Sequence, residues 1–151
     1  TIELGIVFTP FNSETFESLM LESEPMVIAF RSGDYFNNNN YYKIGLNELI
    51  NKPLIIDQKF KDMLIHSCQQ SGFEPRILCE NQDARAVLLW ANSGIGIGIV
   101  PKSASQLIPS LNLQYIEIDD LILKTRPAVV WLRNRILSDI SKNFLETFKC
   151  N

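Results

Sequence analysis

The sequence predicts an α/β fold built on a parallel sheet, and three observations carry that prediction. Helical and strand patterns alternate from Leu46 to Val100 as helix, strand, helix, strand, helix, strand. Right-handed crossovers between parallel strands produce that order. The stretch from Asn81 to Pro101, NQDARAVLLWANSGIGIGIVP, shows the pattern most sharply. Ala84, Val87, Leu88 and Ala91 recur at helical spacing behind Asp83, a good N-cap residue, and Gly94 stands where a left-handed residue closes a helix. Ile95, Ile97, Ile99 and Val100, with glycines between them, then read as a buried strand that Pro101 stops, because proline cannot donate to a ladder. Finally, 151 residues at 46% apolar and 21% charged suffice for one domain or two small lobes with a real core.

Taken in order, Ile2, Leu4 and Ile6 alternate against Glu3 and Gly5 as an opening strand that Thr9-Pro10 ends. Asn12 to Glu17 reads as a polar loop. Leu19 to Leu21 and Met26 to Phe30 read as two strands separated by the turn-like Glu22-Ser23-Glu24-Pro25. Phe36 to Tyr42, FNNNNYY, is a low-complexity surface loop expected to pack no core. Leu46 to Ile50 is a brief helix, and Pro53 introduces the buried strand Leu54, Ile55, Ile56. Asp57 to Lys59 is the loop or N-cap region before a helix with Phe60, Met63, Leu64 and Cys68 on one face. Gly72 ends that helix and Pro75 keeps it from resuming before the strand Arg76 to Cys79. Ser103 to Leu107 makes one or two helical turns, and Leu111 to Ile118 and Thr125 to Arg133 are strands. Ser138 caps a last helix with Ile140, Phe144, Leu145 and Phe148 inward.

Several chemistries find no support. The formal net charge is -3 and no lysine or arginine run exceeds two residues, so the chain lacks the basic footprint of nucleic-acid binding. No apolar run approaches the ~20 residues of a membrane span and no basic-then-apolar lead marks a signal peptide, which predicts a soluble protein. Cys68, Cys79 and Cys150 are odd in number, lack CxxC spacing and read as reduced thiols of a cytoplasmic protein rather than a disulfide frame or a zinc site, Cys68 in the core. His66 has one carboxylate, Asp62, four residues before it, far short of a metal shell, so no metal and no cofactor are expected. No GxSxG elbow occurs. Gly94, Gly96 and Gly98 follow a helix and lie in a strand, the reverse of a dinucleotide fingerprint, and read as close backbone packing or a narrow cleft wall.

What remains is binding. In a parallel sheet, ligands collect outside the carboxyl ends of the strands, where helix N-termini present free N–H groups. Three such ends can be named: Thr9-Pro10, Asp57 to Phe60, and Gln82-Asp83. Lys59 and Arg85 stand in first helical turns, where a cation is disfavoured unless an anion lies nearby. A small anion such as a carboxylate is the ligand this suggests, with solvation of both cations as the plain alternative.

The residues also carry a resemblance. Leu4-Gly5-Ile6-Val7, Glu24 to Ala29, Leu49 to Ile56, Ser71-Gly72-Phe73-Glu74-Pro75, Ser93 to Pro101 and Val130-Trp131 resemble, in order and spacing over essentially the whole chain, the effector-binding domain of LysR-type transcriptional regulators. The resemblance implies two Rossmann-like subdomains joined by two crossover strands, akin to periplasmic binding proteins, with an effector between them. Residues 26–125 would form the second subdomain, and residues 1–25 and 126–151 part of the first. The family's DNA-binding helix-turn-helix, its linker helix and its first strand-helix units have no counterpart here. The helix whose hydroxyls hold the effector carboxylate is among those missing parts.

Carried over by position, the ligand contacts would be Thr9, Pro10, Arg31, Asp57, Gln58, Lys59, Phe60, Gln82, Asp83, Gly96 and Ile97, with core or strand packing as the competing account for Phe60, Gly96 and Ile97. The resemblance implies a sensor of a small metabolite without catalytic residues, a homodimer or homotetramer that reaches DNA only through the missing domain. A periplasmic-type solute-binding protein or an α/β enzyme are the rival classes.

Overall fold

The structure, a computed structural model, describes residues 3–8, 14–36, 42–120, 123–125 and 127–149, with backbone alone at 8, 127, 148 and 149. In chain order the elements are β1 (Gly5–Phe8), β2 (Phe16–Met20), β3 (Glu24–Arg31), β4 (Lys43–Ile44), β5 (Pro53–Asp57), α1 (Lys61–Gln70), β6 (Arg76–Asn81), α2 (Ala84–Asn92), β7 (Ile97–Pro101), β8 (Leu113–Ile118), β9 (Lys124–Thr125), β10 (Pro127–Leu132) and α3 (Asp139–Lys149). Short 3-10 turns cover Leu46–Leu49, Gln58–Phe60 and Lys102–Gln106. The chain divides into two units, Thr1–Ser23 with Thr125–Asn151, and Glu24–Lys124.

The larger unit holds a sheet of order β4-β8-β3-β7-β5-β6, with β9 added to β3. β5 is parallel to both β6 and β7, as the alternation requires. β3 is antiparallel to β7 and β8, so the sheet is mixed: β6-β5-β7 is parallel as predicted, and at the other edge β4 is parallel to β8. Periodicity could not reveal this, because strand direction is fixed by connection length and not by side-chain alternation.

One face of the sheet buries Val27, Ala29, Ile55 and Val100 against Val87, Leu88 and Ala91 of α2. Each fully buried Val or Leu there contributes about 1.5–3 kcal/mol. A Cβ on Gly98 would meet Val87 Cγ1 at 3.0 Å and Ala91 Cβ at 3.3 Å, so the glycine lets the helix lie close on the strand. By strand alternation Leu54 and Ile56 face the opposite side, where Leu64 and Cys68 of α1 are buried. Burial pushes the Cys68 thiol up to about 11, in keeping with a core residue.

The helix ends follow their sequence signals. Asp83 Oδ1 accepts the Ala86 N–H at 2.8 Å. Gly72, at φ +89°, closes α1 with its N–H on Gln69 O and the Phe73 N–H on Cys68 O, a Schellman pair. Gly94, at φ +86°, closes α2. The next strand begins at Ile97 and not Ile95, because residues 95 and 96 complete the reversal and Ile95 stays 40% exposed. The expectation that the segment from Phe36 packs nothing fails at its first residue. The Phe36 ring lies 5.2 Å from Phe30 and under the Lys52 ammonium at 5.5 Å, while residues 37–41 lie outside the described part.

The smaller unit is a three-stranded antiparallel sheet of order β1-β10-β2, with α3 beside it. Its second strand starts at Phe16, inside the stretch expected as loop, because Phe16 and Glu17 pair with Leu132 and Trp131. Trp131 Nε1 also donates to Glu17 Oε2 at 3.0 Å. Ser138 does cap α3, its Oγ accepting the Ser141 N–H at 3.3 Å. The inward face of α3 is corrected: Ser141 and Leu145 are buried, whereas Ile140 is 82% and Phe144 45% exposed, and the Phe148 side chain lies outside the described residues. Ile140 and Phe144 border an open groove with Leu4, Gly5, Ile6 and Val129.

Candidate functional site

Strand register brings three loops of the larger unit together. Asp57, the last residue of β5, pairs with Asn81, the last of β6, while Ile56 pairs with Ile99 of β7. The carboxyl ends of three parallel strands therefore stand side by side. They are followed by Gln58–Phe60, by Gln82 and Asp83 at the start of α2, and by Lys102 and Ser103. β3 begins at the same end, since Met26 pairs with Pro101. There the Glu24 carboxylate accepts Ser103 N–H at 3.1 Å and Ser103 O–H at 2.8 Å. Sequence reasoning missed this pair, whose members are 79 residues apart and meet only through the antiparallel register.

Asp57 is the centre of that edge. Alternation along β5 turns its side chain to the face that Ile55 and α2 share, at the end where α2 begins. It is 2% exposed. Its Oδ1 accepts the Lys59 N–H at 3.0 Å, which caps the turn Gln58–Phe60. The Lys59 ammonium lies 3.5 Å from Oδ2 and 5.7 Å from the centre of the Phe60 ring, on a half-exposed side chain. That distance makes an ion pair but not a hydrogen bond, and Oδ2 accepts no hydrogen bond while being sealed from solvent. The anion that a lysine in a first turn calls for is thus Asp57.

Around it, Gln58, Gln82 and Asp83 are exposed and Phe60 is buried at 4% exposure, a core side chain at this site's edge. Asn81 Nδ2 donates to Cys79 Sγ at 3.5 Å. Lys61 reaches Glu80 at 2.5 Å, and that hydrogen bond raises the lysine above its ordinary value.

Other residues carried over from the resemblance are elsewhere. A Cβ on Gly96 would meet Pro53 O at 2.9 Å, and Ile97 pairs with Leu54, so both stand at the amino end of β5. Four residues of strand, about 13 Å, separate that end from Asp57. Arg31 lies two residues beyond the Ala29–Gly98 pair, at the same remote end. It is bound to Asp34, with Nε 3.1 Å from Oδ2, and its guanidinium lies against Gly94. Thr9 and Pro10 lie outside the described residues. The structure therefore gathers Asp57, Gln58, Lys59, Phe60, Gln82 and Asp83 and separates them from Arg31, Gly96 and Ile97.

Among the described residues no three His, Cys, Asp or Glu side chains gather as a metal site. His66 is exposed on α1. No helix among the described residues is long and apolar enough to cross a membrane.

An open α/β sheet with polar loops at the carboxyl ends of adjacent parallel strands defines a domain that binds small molecules. The family model of the LysR substrate binding domain matches residues 1–151, and the chain belongs to that family. It is 22% identical over 154 residues to the uncharacterized HTH-type transcriptional regulator YwbI of Bacillus subtilis (strain 168), covering 99% of this chain and 50% of that protein. The effector binding domain of BenM with its effector benzoate superposes with a TM-score of 0.80 at 21% identity, covering 99% of this chain and 68% of that one. Full-length CbnR complexed with its target DNA gives a TM-score of 0.81 at 21% identity, covering 99% of this chain and 50% of that one. The chain thus spans about half the length of the curated relatives it matches. At these identities the structural likeness establishes the fold, the periplasmic-binding-protein-like α/β architecture of LysR effector domains.

Proposed function

We propose that this chain is the ligand-sensing part of a cytoplasmic LysR-type transcription factor. It binds a small carboxylate-bearing metabolite at the carboxyl ends of β5 and β6, and it carries no catalysis. The full-length protein acts as a homo-oligomer and reaches DNA through a helix-turn-helix domain outside this chain. The observation that carries the reading is the family match along residues 1–151. Lys59, beside the cap of the turn Gln58–Phe60, supplies the positive charge a carboxylate needs. That the effector of the similar BenM domain is benzoate supports a small organic effector.

A ligand acts only through its different affinities for two arrangements of the protein, so binding must alter the DNA complex to count as regulation. A thermal-shift screen of the full-length protein against small metabolites tests the reading, because a ligand at ~100 times its dissociation constant adds about 2.7 kcal/mol. Binders are then added to the protein on its own promoter DNA. A metabolite that raises the melting temperature and changes DNA affinity supports the proposal. Turnover of the binding metabolite, or binding with no effect on DNA, overturns it.

A further inference from the structure

We propose that the effector is a zwitterion that inserts into the Asp57–Lys59 ion pair, its ammonium taking Asp57 and its carboxylate taking Lys59. The proposal rests on the effector-binding reading above and specifies the ligand for the same strand ends.

Asp57 is a buried, incompletely bonded charge. A carboxylate has two oxygens with about four acceptor positions between them. Asp57, 2% exposed, fills one of these with the Lys59 N–H at 3.0 Å, and its Oδ2 receives no hydrogen bond. Buried charge with unmade bonds is costly, so native proteins keep such groups where something else completes them. The ammonium nearest Oδ2 belongs to Lys59, at the longer distance of 3.5 Å, on a side chain still 49% exposed. The lysine end of the pair is half exposed, so when another ammonium takes its place at the buried carboxylate the long stem regains freedom and the head regains water. Lys59 therefore covers Oδ2 as a displaceable lid.

The surroundings then select the ligand. A simple carboxylate drawn to Lys59 would meet the Asp57 charge beside it and be repelled. A simple amine drawn to Asp57 would meet Lys59 in the same way. A molecule carrying both groups one carbon apart replaces each half of the pair with its own opposite charge and leaves the net charge of the edge unchanged. It also brings a compact ammonium with three donors, enough to supply the bond that Oδ2 lacks. The first turn of α2 starts beside this point, since Asn81, two residues before the N-cap Asp83, pairs with Asp57.

The test uses the full-length protein, a broad metabolite panel, and within it matched sets: the protein amino acids, the same molecules without the amino group, and the same without the carboxyl group. The expected result is an amino acid or similar zwitterion that binds, with either truncated counterpart at least about tenfold weaker. Asp57→Asn keeps an oxygen for the Lys59 N–H, so the turn stays capped. It should weaken the zwitterion at least about tenfold while leaving or improving binding of the deaminated analogue. Lys59→Met, at an exposed position, should weaken the zwitterion and spare the decarboxylated analogue. A panel member that binds without an amino group, or a zwitterion whose affinity stays within about twofold in both variants, overturns this inference and leaves the effector reading intact. Absence of any binder in the panel counts against both.

Discussion

The guanidinium of Arg31 fills the space that a side chain at Gly94 would need: a Cβ built there lies 2.6 Å from Arg31 Cζ and 2.7 Å from Nη2. Arg31 ends β3 and Gly94 closes α2, so this contact ties a strand end to a helix C-terminus, where a cation is favoured by the helix dipole. The φ of +86° requires the glycine, and the guanidinium, the end of a side chain 49% exposed, is the neighbour that a Cβ would displace. Gly94→Ala should cost about 1–3 kcal/mol in urea unfolding, combining left-handed strain with displacement of Arg31. In an Arg31→Ala background the same change should cost only the strain, about 1 kcal/mol. Equal costs in both backgrounds would mean that the guanidinium gives way freely.

Asp57 offers a second stability test in which two effects oppose. Its Oδ1 caps Lys59 N at 3.0 Å, worth about 0.5–2 kcal/mol, while its buried charge costs desolvation. Asp57→Asn retains the cap and removes the charge, so the unliganded protein should unfold at the same or higher denaturant concentration. Asp57→Ala loses the cap and should fall by about 1 kcal/mol with an unchanged denaturant slope. If Asn destabilises as much as Ala, the carboxylate charge is holding the turn.

The contrast between these two sites explains what could be read from the sequence. Asp83, Gly72 and Gly94 were legible because capping is local: the residue that ends a helix and the groups it satisfies are within a few positions of each other. The loop at Asp57 was legible as a strand end followed by a helix start, and its carboxylate supplied the anion that Lys59 called for. Arg31, Gly96 and Ile97 were drawn into the same candidate site because positional analogy does not record which end of a strand a residue occupies. Gly96 and Ile97 stand at the start of β7, which lies beside the amino end of the parallel β5, whereas the end that Arg31 occupies depends on β3 running antiparallel to β7, a long-range fact. Glu24 and Ser103 were invisible for the same reason.

Glu3 gives the smaller unit a dependence on pH. Its Oε2 accepts hydrogen bonds from the Ser141 and Ser138 hydroxyls and the Ser138 N–H, and these bonds, Ser141's first, hold its carboxyl below the ordinary 4.5. A carboxylate depressed in the folded state adds stability above its unfolded value and loses it as pH falls through the folded one. Hydrogen exchange of α3 amides should therefore quicken as pH drops below about 4.5, beyond the intrinsic pH effect. Glu3→Gln should exchange faster at neutral pH and show no further acid step. An acid step of the same size in Glu3→Gln would assign it to other carboxylates.

The faces of α3 make the last prediction, and it turns on exposure and not on residue type. Leu145 is 5% exposed and Ile140 82% exposed, although both belong to one apolar stripe in the sequence. Leu145→Ala removes buried methyl groups and leaves a cavity against the sheet, which costs about 2–5 kcal/mol. Ile140→Ala removes groups already in contact with water along the open groove, and the cost should stay within about 0.5 kcal/mol. Urea unfolding of this chain followed by Trp131 fluorescence in a Trp90→Phe background reads both, since Trp131 lies on β10 and its indole N–H is held by Glu17. The same pair of substitutions in the full-length protein is the informative comparison. If Ile140→Ala costs more than about 1 kcal/mol there, polypeptide outside this chain packs into the groove formed by Leu4, Ile6, Val129 and Phe144. If it remains neutral, the groove stays open to solvent in the complete molecule as well.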